Sequence, residues 1–212
     1  MKVAPSGQKV VLLTAKAYIL SGDVPSAQKA LDRRSRYETD SLFQEVQTLW
    51  TRATGAWEKA VQASKLADAG NYEEAAKLMD EASRQYPESS DLAIAAITYA
   101  GSSAFEQKDY QAFLDLSSKA LQTNPQDPEL IAMAASAMAC KYAVTGDRQA
   151  RRQTEELLAR AQSLSNTPEL KASYQEYSER IRYRLESREI ISRKEYDRRF
   201  RQAAQDARKG NS

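Results

Sequence analysis

The sequence predicts an all-α protein made of antiparallel helical hairpins, and three observations support this fold class. Helix-forming residues such as Ala, Leu, Gln, Glu, Lys and Arg are abundant, whereas the 212 residues include only 7 Gly and 6 Pro. No segment alternates apolar and polar residues as a half-buried strand does. A pattern of small residues, turn residues and prolines recurs at a fixed spacing, which is typical of stacked supersecondary units.

The repeat has a period of 38 residues in the middle of the chain. An earlier copy, around Gly22 and Asp23, precedes the next by 48 residues, and we expect the extra length to extend one helix from about residue 41 to residue 69. The 38-residue spacing separates three turn positions, two small residues and two prolines: Gly70, Lys108 and Gly146; Ala82 and Ala120; Pro87 and Pro125.

Each copy predicts a helix, a short turn and a second helix. In the most regular copy, residues 56–69 form the first helix and Gly70 allows the left-handed turn that ends it. Two acidic residues then favour the start of the second helix through its macrodipole. One stripe of that helix, formed by Ala75, Met79 and Ala82, faces the first helix. Pro87 ends the second helix, and Asp91 is expected to cap the next one.

The C-terminal segment, residues 168–208, predicts one long amphipathic helix, either continuous or with a single break, that caps the last hairpin. It is basic, because residues 180–212 contain 11 Lys and Arg against 5 Asp and Glu, although the whole chain carries only +2. We expect an apolar stripe, Tyr174, Tyr177, Ile181 and Leu185, to face the hairpin, and three arginines, Arg180, Arg184 and Arg188, to face solvent. Residues 1–7 and 209–212 are predicted to be flexible tails.

These features resemble the tetratricopeptide repeat (TPR) family. The resemblance covers about residues 8–164, although Arg148 stands where the third copy should have an aromatic residue. It implies an α-solenoid of about four hairpins over residues 8–167, and a generic helical bundle is the alternative. The matching positions are a small residue in the first helix, an aromatic residue after the turn and a closing proline: Ala63, Gly101 and Ala139; Tyr72 and Tyr110; Pro87 and Pro125.

The resemblance also implies a partner-binding groove lined by the first helix of each hairpin. Its expected occupant is a helix or an extended peptide from another protein. The aromatic residues of the groove would be its anchors, or would pack between helices instead. The expected lining residues are Trp57, Val61, Ser64, Asp68, Tyr99, Ser102, Phe105, Ser136 and Cys140.

The residue inventory disfavours an enzyme. The chain has no His and a single cysteine, Cys140, so histidine-based catalysis, thiolate zinc clusters and internal disulfides are excluded. Gly-rich phosphate loops are absent as well. We therefore expect no cofactor, no metal site and no catalysis.

The sequence thus predicts a non-catalytic adaptor, scaffold or assembly factor that binds another protein. Two alternatives remain: the basic C-terminal helix binds nucleic acid or an anionic membrane surface, or the chain forms a homo-oligomeric scaffold. We expect a cytoplasmic location, because no apolar stretch approaches the roughly 20 residues that span a bilayer. A signal or membrane anchor removed before Met1 is left open.

Overall fold

The computed structural model of the chain describes residues 5–32 and 41–200, with side chains from Val10 onward. All regular secondary structure in these ranges is helical, which confirms the all-α prediction. Residues 193–200 form a further helical stretch after α9. The preceding helices are α1 (Pro5–Leu20), α2 (Val24–Asp32), α3 (Ser41–Asp68), α4 (Tyr72–Gln85), α5 (Ser90–Glu106), α6 (Tyr110–Thr123), α7 (Pro128–Thr145), α8 (Arg148–Leu164) and α9 (Pro168–Ser187).

The helices follow one another as pairs, and each first helix ends at a residue with a left-handed backbone. This conformation suits glycine, which has no Cβ to clash with the following carbonyl. The turn residues predicted at the 38-residue spacing are among these positions, so the hairpin turns lie where the sequence predicts them. The left-handed residues are Gly22 (φ 76°), Gly70 (φ 87°), Lys108 (φ 62°), Gly146 (φ 73°) and Arg188 (φ 58°).

An aspartate directly follows three of these residues and caps the second helix. The carboxylates of Asp23, Asp109 and Asp147 accept hydrogen bonds from backbone N–H groups 3.1, 3.0 and 2.8 Å away, respectively. The predicted cap at Asp91 is wrong, because Asp91 lies within the first turn of α5. The hydroxyl of Ser89 accepts the N–H of Leu92 instead, at 3.2 Å.

The chain divides into two compact units, unit 1 (Met1–Tyr99) and unit 2 (Ala100–Ser212), and the boundary falls inside α5. In unit 1, α3 packs against α1 and α4, and α1 also packs against α2. The 28-residue α3 confirms the predicted long helix. Its small residues Ala56, Ala60 and Ala63 are buried, so the neighbouring helices approach closely. The phenolic O–H of the buried Tyr86 donates to the carbonyl of Ile19 at 2.9 Å.

Unit 2 is built around the alanine-rich helix α7, which packs against α6, α8 and α9. Ile131, Ala135, Ala139 and Cys140 of α7 are completely buried. Buried residues on several sides explain why α7 lacks a single apolar stripe: a helix that is apolar all round is a buried helix.

The predicted C-terminal helix, for which one break was allowed, is interrupted once within the described residues up to Phe200. Helix α9 ends at Ser187, and a new helical turn begins after Ser192, whose hydroxyl accepts the N–H of Glu195 at 3.2 Å. Arg188 stabilises the turn between α9 and this stretch, because its guanidinium donates to the carbonyl of Ala143 at 3.2 Å. At the other end, residues 5–7 belong to α1 and not to the predicted tail. The predicted tail 209–212 lies outside the described residues.

No helix within residues 5–32 and 41–200 combines the length and the apolar character that crossing a bilayer requires.

Candidate partner-binding surface

The first and second helices of the hairpins differ in how their apolar residues are distributed. The second helices α2, α4, α6 and α8 are strongly amphipathic, with one buried stripe and a polar opposite face. The first helices α1, α5 and α7 carry apolar residues on most sides. A helix that is apolar on most sides must be covered by neighbours on more than one side. The first helices therefore present the surfaces at which a further contact would bury apolar area.

Large apolar side chains that remain exposed follow the same division. Within α1–α9, as far as their side chains are described, all of them lie on first helices: Val10, Leu13, Tyr18 and Leu20 on α1, Val61 on α3, Val144 on α7 and Tyr177 on α9. Phe200, in the helical stretch after α9, is the exception among the described residues. Leu13 is 47% exposed and Val61 is 55% exposed, and they are separated by the 48-residue offset of the first two copies. Leu20 and Val144 also occupy equivalent positions of their repeats. We call Leu13, Leu20, Val61 and Val144 the first-helix apolar set.

In unit 1, the predicted groove residues of α3 lie on one helical face, because they are spaced at three and four residues. Val61, Ser64 and Asp68 are exposed there. Trp57 is half-buried beside the turn at Gly22, and its indole N–H is buried without a hydrogen-bond partner. Tyr99 is half-buried and packs against the unit 1 core. The unit 1 residues therefore combine an open apolar position, Val61, with two aromatic side chains that pack into the fold.

In unit 2, the predicted groove residues do not form an open groove. Ser102 is half-buried, and Cys140 is fully buried. The ring of Phe105 packs edge-on against Phe113 and tilted against Tyr110, with centroids 5.6 and 6.1 Å away. Ser136 accepts hydrogen bonds from α9. The unit 2 surface predicted to bind a partner is therefore closed by packing among α5, α6 and α7 and, at Ser136 and Phe105, by the C-terminal helix α9.

Arg184 of α9 lies at the centre of this covered surface. Its Nη1 donates to the carbonyl and to the hydroxyl of Ser136, both at 2.9 Å, and its guanidinium lies 5.1 Å from the ring centre of Phe105. The residue is only 5% exposed. The prediction that Arg184 faces solvent is wrong, because it is positioned between Ile181 and Leu185, the two buried anchors of α9.

The electrostatics around Arg184 are unusual for a buried cation. Its Nε is buried without a hydrogen-bond partner, and no described carboxylate forms an ion pair with it. Burial lowers the pKa of the guanidinium. Burial also raises the pKa of the Cys140 thiol, to about 11, so that thiol is protonated at neutral pH. The pair is a desolvated arginine beside an uncharged thiol.

Three of the five basic residues described after Arg184 form ion pairs with acids. Arg193 contacts Glu176 at 2.6 Å, and Arg199 contacts both Glu189 and Glu195 at 2.7 Å. Arg198 pairs with Glu195 at 2.8 Å. Such pairs place negative charge among the cations that a phosphate backbone or an anionic lipid surface would need.

The described residues hold no group of three or more His, Cys, Asp or Glu side chains that could bind a metal ion.

Sequence reasoning missed Arg184 and three members of the first-helix apolar set. The spacing of Arg184, three residues after Ile181, does place it near the apolar face, but an arginine on an amphipathic helix is ordinarily solvated. Leu13, Leu20 and Val144 did carry a signal, because each lies at the repeat offset from Val61 or Asp68. Comparison with protein-family models, with curated proteins and with solved structures finds no match to this chain.

Proposed function

We propose that this chain is a non-catalytic protein-interaction module of the TPR-like kind, in which first-helix faces bind a helix or extended peptide of a partner. The observation that carries the proposal is the restriction of exposed large apolar side chains to the first helices of α1–α9, wherever side chains are described. The strongly amphipathic second helices satisfy their own apolar faces within the fold. Burying one exposed valine or leucine contributes about 1.5–3 kcal/mol, so several together would support a specific complex.

The recurrence of exposed apolar residues at equivalent repeat positions further supports a shared binding role. Leu13 and Val61 are related by the same offset as the hairpins that contain them, as are Leu20 and Val144. Scattered exposed apolar residues are common on any protein surface. Leu13 and Val61 of unit 1 follow the repeat, which is the arrangement expected when successive hairpins of an α-solenoid present the same face to a ligand.

Nucleic-acid or membrane-surface binding through the C-terminal segment is less well supported. One of its arginines is buried and several others form ion pairs within the segment. A binder of phosphates would present unpaired Lys and Arg along one face.

Site-specific photo-crosslinking tests the proposal. A photoreactive phenylalanine analogue at position 13 or 61 should crosslink a defined partner protein in cells that naturally express the chain. The same analogue at Glu74, an exposed residue of the second helix α4, is the matched control and should not. Equal crosslinking from all three positions, or none from positions 13 and 61, would reject the first-helix faces as the binding surface.

A further inference from the structure

Helix α9 covers the part of α7 that the repeat pattern assigns to partner binding. Ile181 and Leu185 are buried and pack in one cluster with Ala135 and Ala139 of α7 and Leu158 of α8. Between these two anchors, Arg184 donates to Ser136. We define the α9-binding face of α7 as Ala135, Ser136 and Ala139. Ser136 also belongs to the groove predicted from the sequence.

The attachment of α9 to this face buries a positive charge that has no acidic partner among the described residues, which is energetically unfavourable. A guanidinium that leaves water loses its hydration, and neither two hydrogen bonds to Ser136 nor the contact with Phe105 supplies the opposite charge that would offset the loss. The Nε of Arg184 obtains no hydrogen bond at all. An apolar residue of similar length at this position would avoid the desolvation cost. Arg184 therefore weakens the closed state relative to what Ile181 and Leu185 alone would give.

One flank of α9 is also incompletely packed. A cleft of about 260 Å³ lies between α8 and α9, with Leu158, Tyr174 and Leu185 as its apolar wall. Charged side chains, among them Arg151, Glu155 and Arg182, complete the lining. Water has access to this flank, so the contact of α9 with α8, which centres on Leu158, is less extensive than its contact with α7. The main attachment of α9 is to α7.

We propose that α9 is a built-in occupant of its binding face on α7, and that a partner helix with apolar residues at i and i+4 displaces it. This inference rests on the proposed function and adds its regulation: unit 2 is closed in the free chain and opens when a competing helix arrives. A partner helix with an apolar residue at the position of Arg184 competes best, because it fills the face without burying a cation. On release, Arg184 regains its hydration.

Amide hydrogen exchange on the full-length chain tests the closed and open states directly. In the wild type, α9 amides are expected to exchange at least about tenfold faster than those in the centre of α7, because local opening exposes α9 while the rest of unit 2 stays folded. Arg184→Met, which removes the buried charge, should slow α9 exchange by at least about tenfold. Lys171→Met is the matched control, because Lys171 is exposed on the same helix and lies outside the cleft, and it should leave the exchange unchanged.

A competition measurement completes the test. A fluorescently labelled peptide comprising residues 168–192 with Arg184→Met should bind the wild-type chain, and bind the Arg184→Met chain at least about tenfold more weakly. The proposal is overturned if wild-type α9 is as protected as α7, if Arg184→Met leaves its exchange unchanged, or if the peptide binds both chains equally. Since exchange needs no partner, these failures are distinct from a failure of crosslinking at positions 13 and 61, which would reject the proposed function instead.

Discussion

Gly101 illustrates how a single missing side chain sets the distance between two helices. A Cβ built at this position would collide with the terminal methyl of Met133 and lie 3.4 Å from a ring carbon of Phe113. Gly101→Leu is therefore expected to lower the free energy of unfolding by about 1–3 kcal/mol through overpacking.

Gly101→Ala is the graded control for this prediction. The end of the flexible Met133 side chain can move, and alanine favours helix by about 1 kcal/mol over glycine, so the two effects offset each other. Urea titrations of the three chains would measure the differences. A Gly101→Leu midpoint equal to that of the wild type would contradict the close approach of α5 to α7.

Lys108 is one of two non-glycine residues with a left-handed backbone in the described ranges. That conformation costs a residue with a Cβ about 1–2 kcal/mol. Glycine adopts it without this steric cost, but it loses more backbone conformational entropy on folding. We expect Lys108→Gly to stabilise the chain by about 0.5–1 kcal/mol, measured by chemical denaturation. Lys119→Gly, in the interior of α6, should destabilise it by about 1 kcal/mol. If both substitutions destabilise equally, the turn is not strained at Lys108.

At the scale of elements, sequence reasoning succeeded where a backbone requirement selects the residue type. Gly70 and Gly146 mark left-handed turns, and their spacing located the hairpins. It allowed one break in the C-terminal helix but did not locate it at Arg188, because arginine gives no turn signal and Ile190 and Ile191 continue the helical apolar pattern. The interruption depends on contacts of Arg188 with Ala143 and Tyr142 of α7, which are distant in sequence.

The predicted groove residues divide in the same way into those that the repeat position alone could place and those whose burial depends on tertiary packing. Val61 could be placed on a first-helix face by repeat position alone. The contact of Ser136 with α9 could not be predicted, since it depends on how Ile181 and Leu185 pack against Ala135 and Ala139.

The helical stretch 193–200 is tied to α9 by a charged network that should make its attachment pH-dependent. Arg199 bridges Glu189 and Glu195, and Tyr183 donates to Glu189 at 2.7 Å. Hydrogen bonds from Arg198 and Arg199 lower the pKa of Glu195 to about 2, against 4.5 for an ordinary glutamate. A depressed pKa stabilises the folded state above the unfolded-state pKa, and the contribution is lost as pH falls from 4.5 towards 2.

Glu195→Gln should therefore lower the melting temperature at pH 7, and this difference from the wild type should shrink at about pH 2.5. The effect is modest, because the pairs are solvent-exposed. Glu186→Gln on the exposed face of α9 is the control and should change little at either pH. A Glu195→Gln difference that is the same at both pH values would show that the network does not stabilise the fold.

At the scale of the whole molecule, first and second helices differ in which of their residues are buried and which are exposed. Second helices bury one stripe and expose charge, which favours solubility, while first helices hold the small residues of the cores and the first-helix apolar set. In unit 1 this leaves Leu13 and Val61 exposed, and in unit 2 α9 covers its binding face on α7. The central claim is that the exposed first-helix positions bind a partner protein.

The most direct test compares two neighbouring residues of α3 in binding the partner identified by crosslinking. Val61 and Gln62 are both exposed, but they point about 100° apart on the helix. Val61→Glu should weaken the complex by at least about tenfold, because a charge replaces buried apolar area worth about 1.5 kcal/mol or more, whereas Gln62→Glu should change the Kd by less than about twofold. Both variants should melt within a few degrees of the wild type, since neither side chain is buried in the fold. Equal affinities of the Val61→Glu and wild-type chains would contradict the claim.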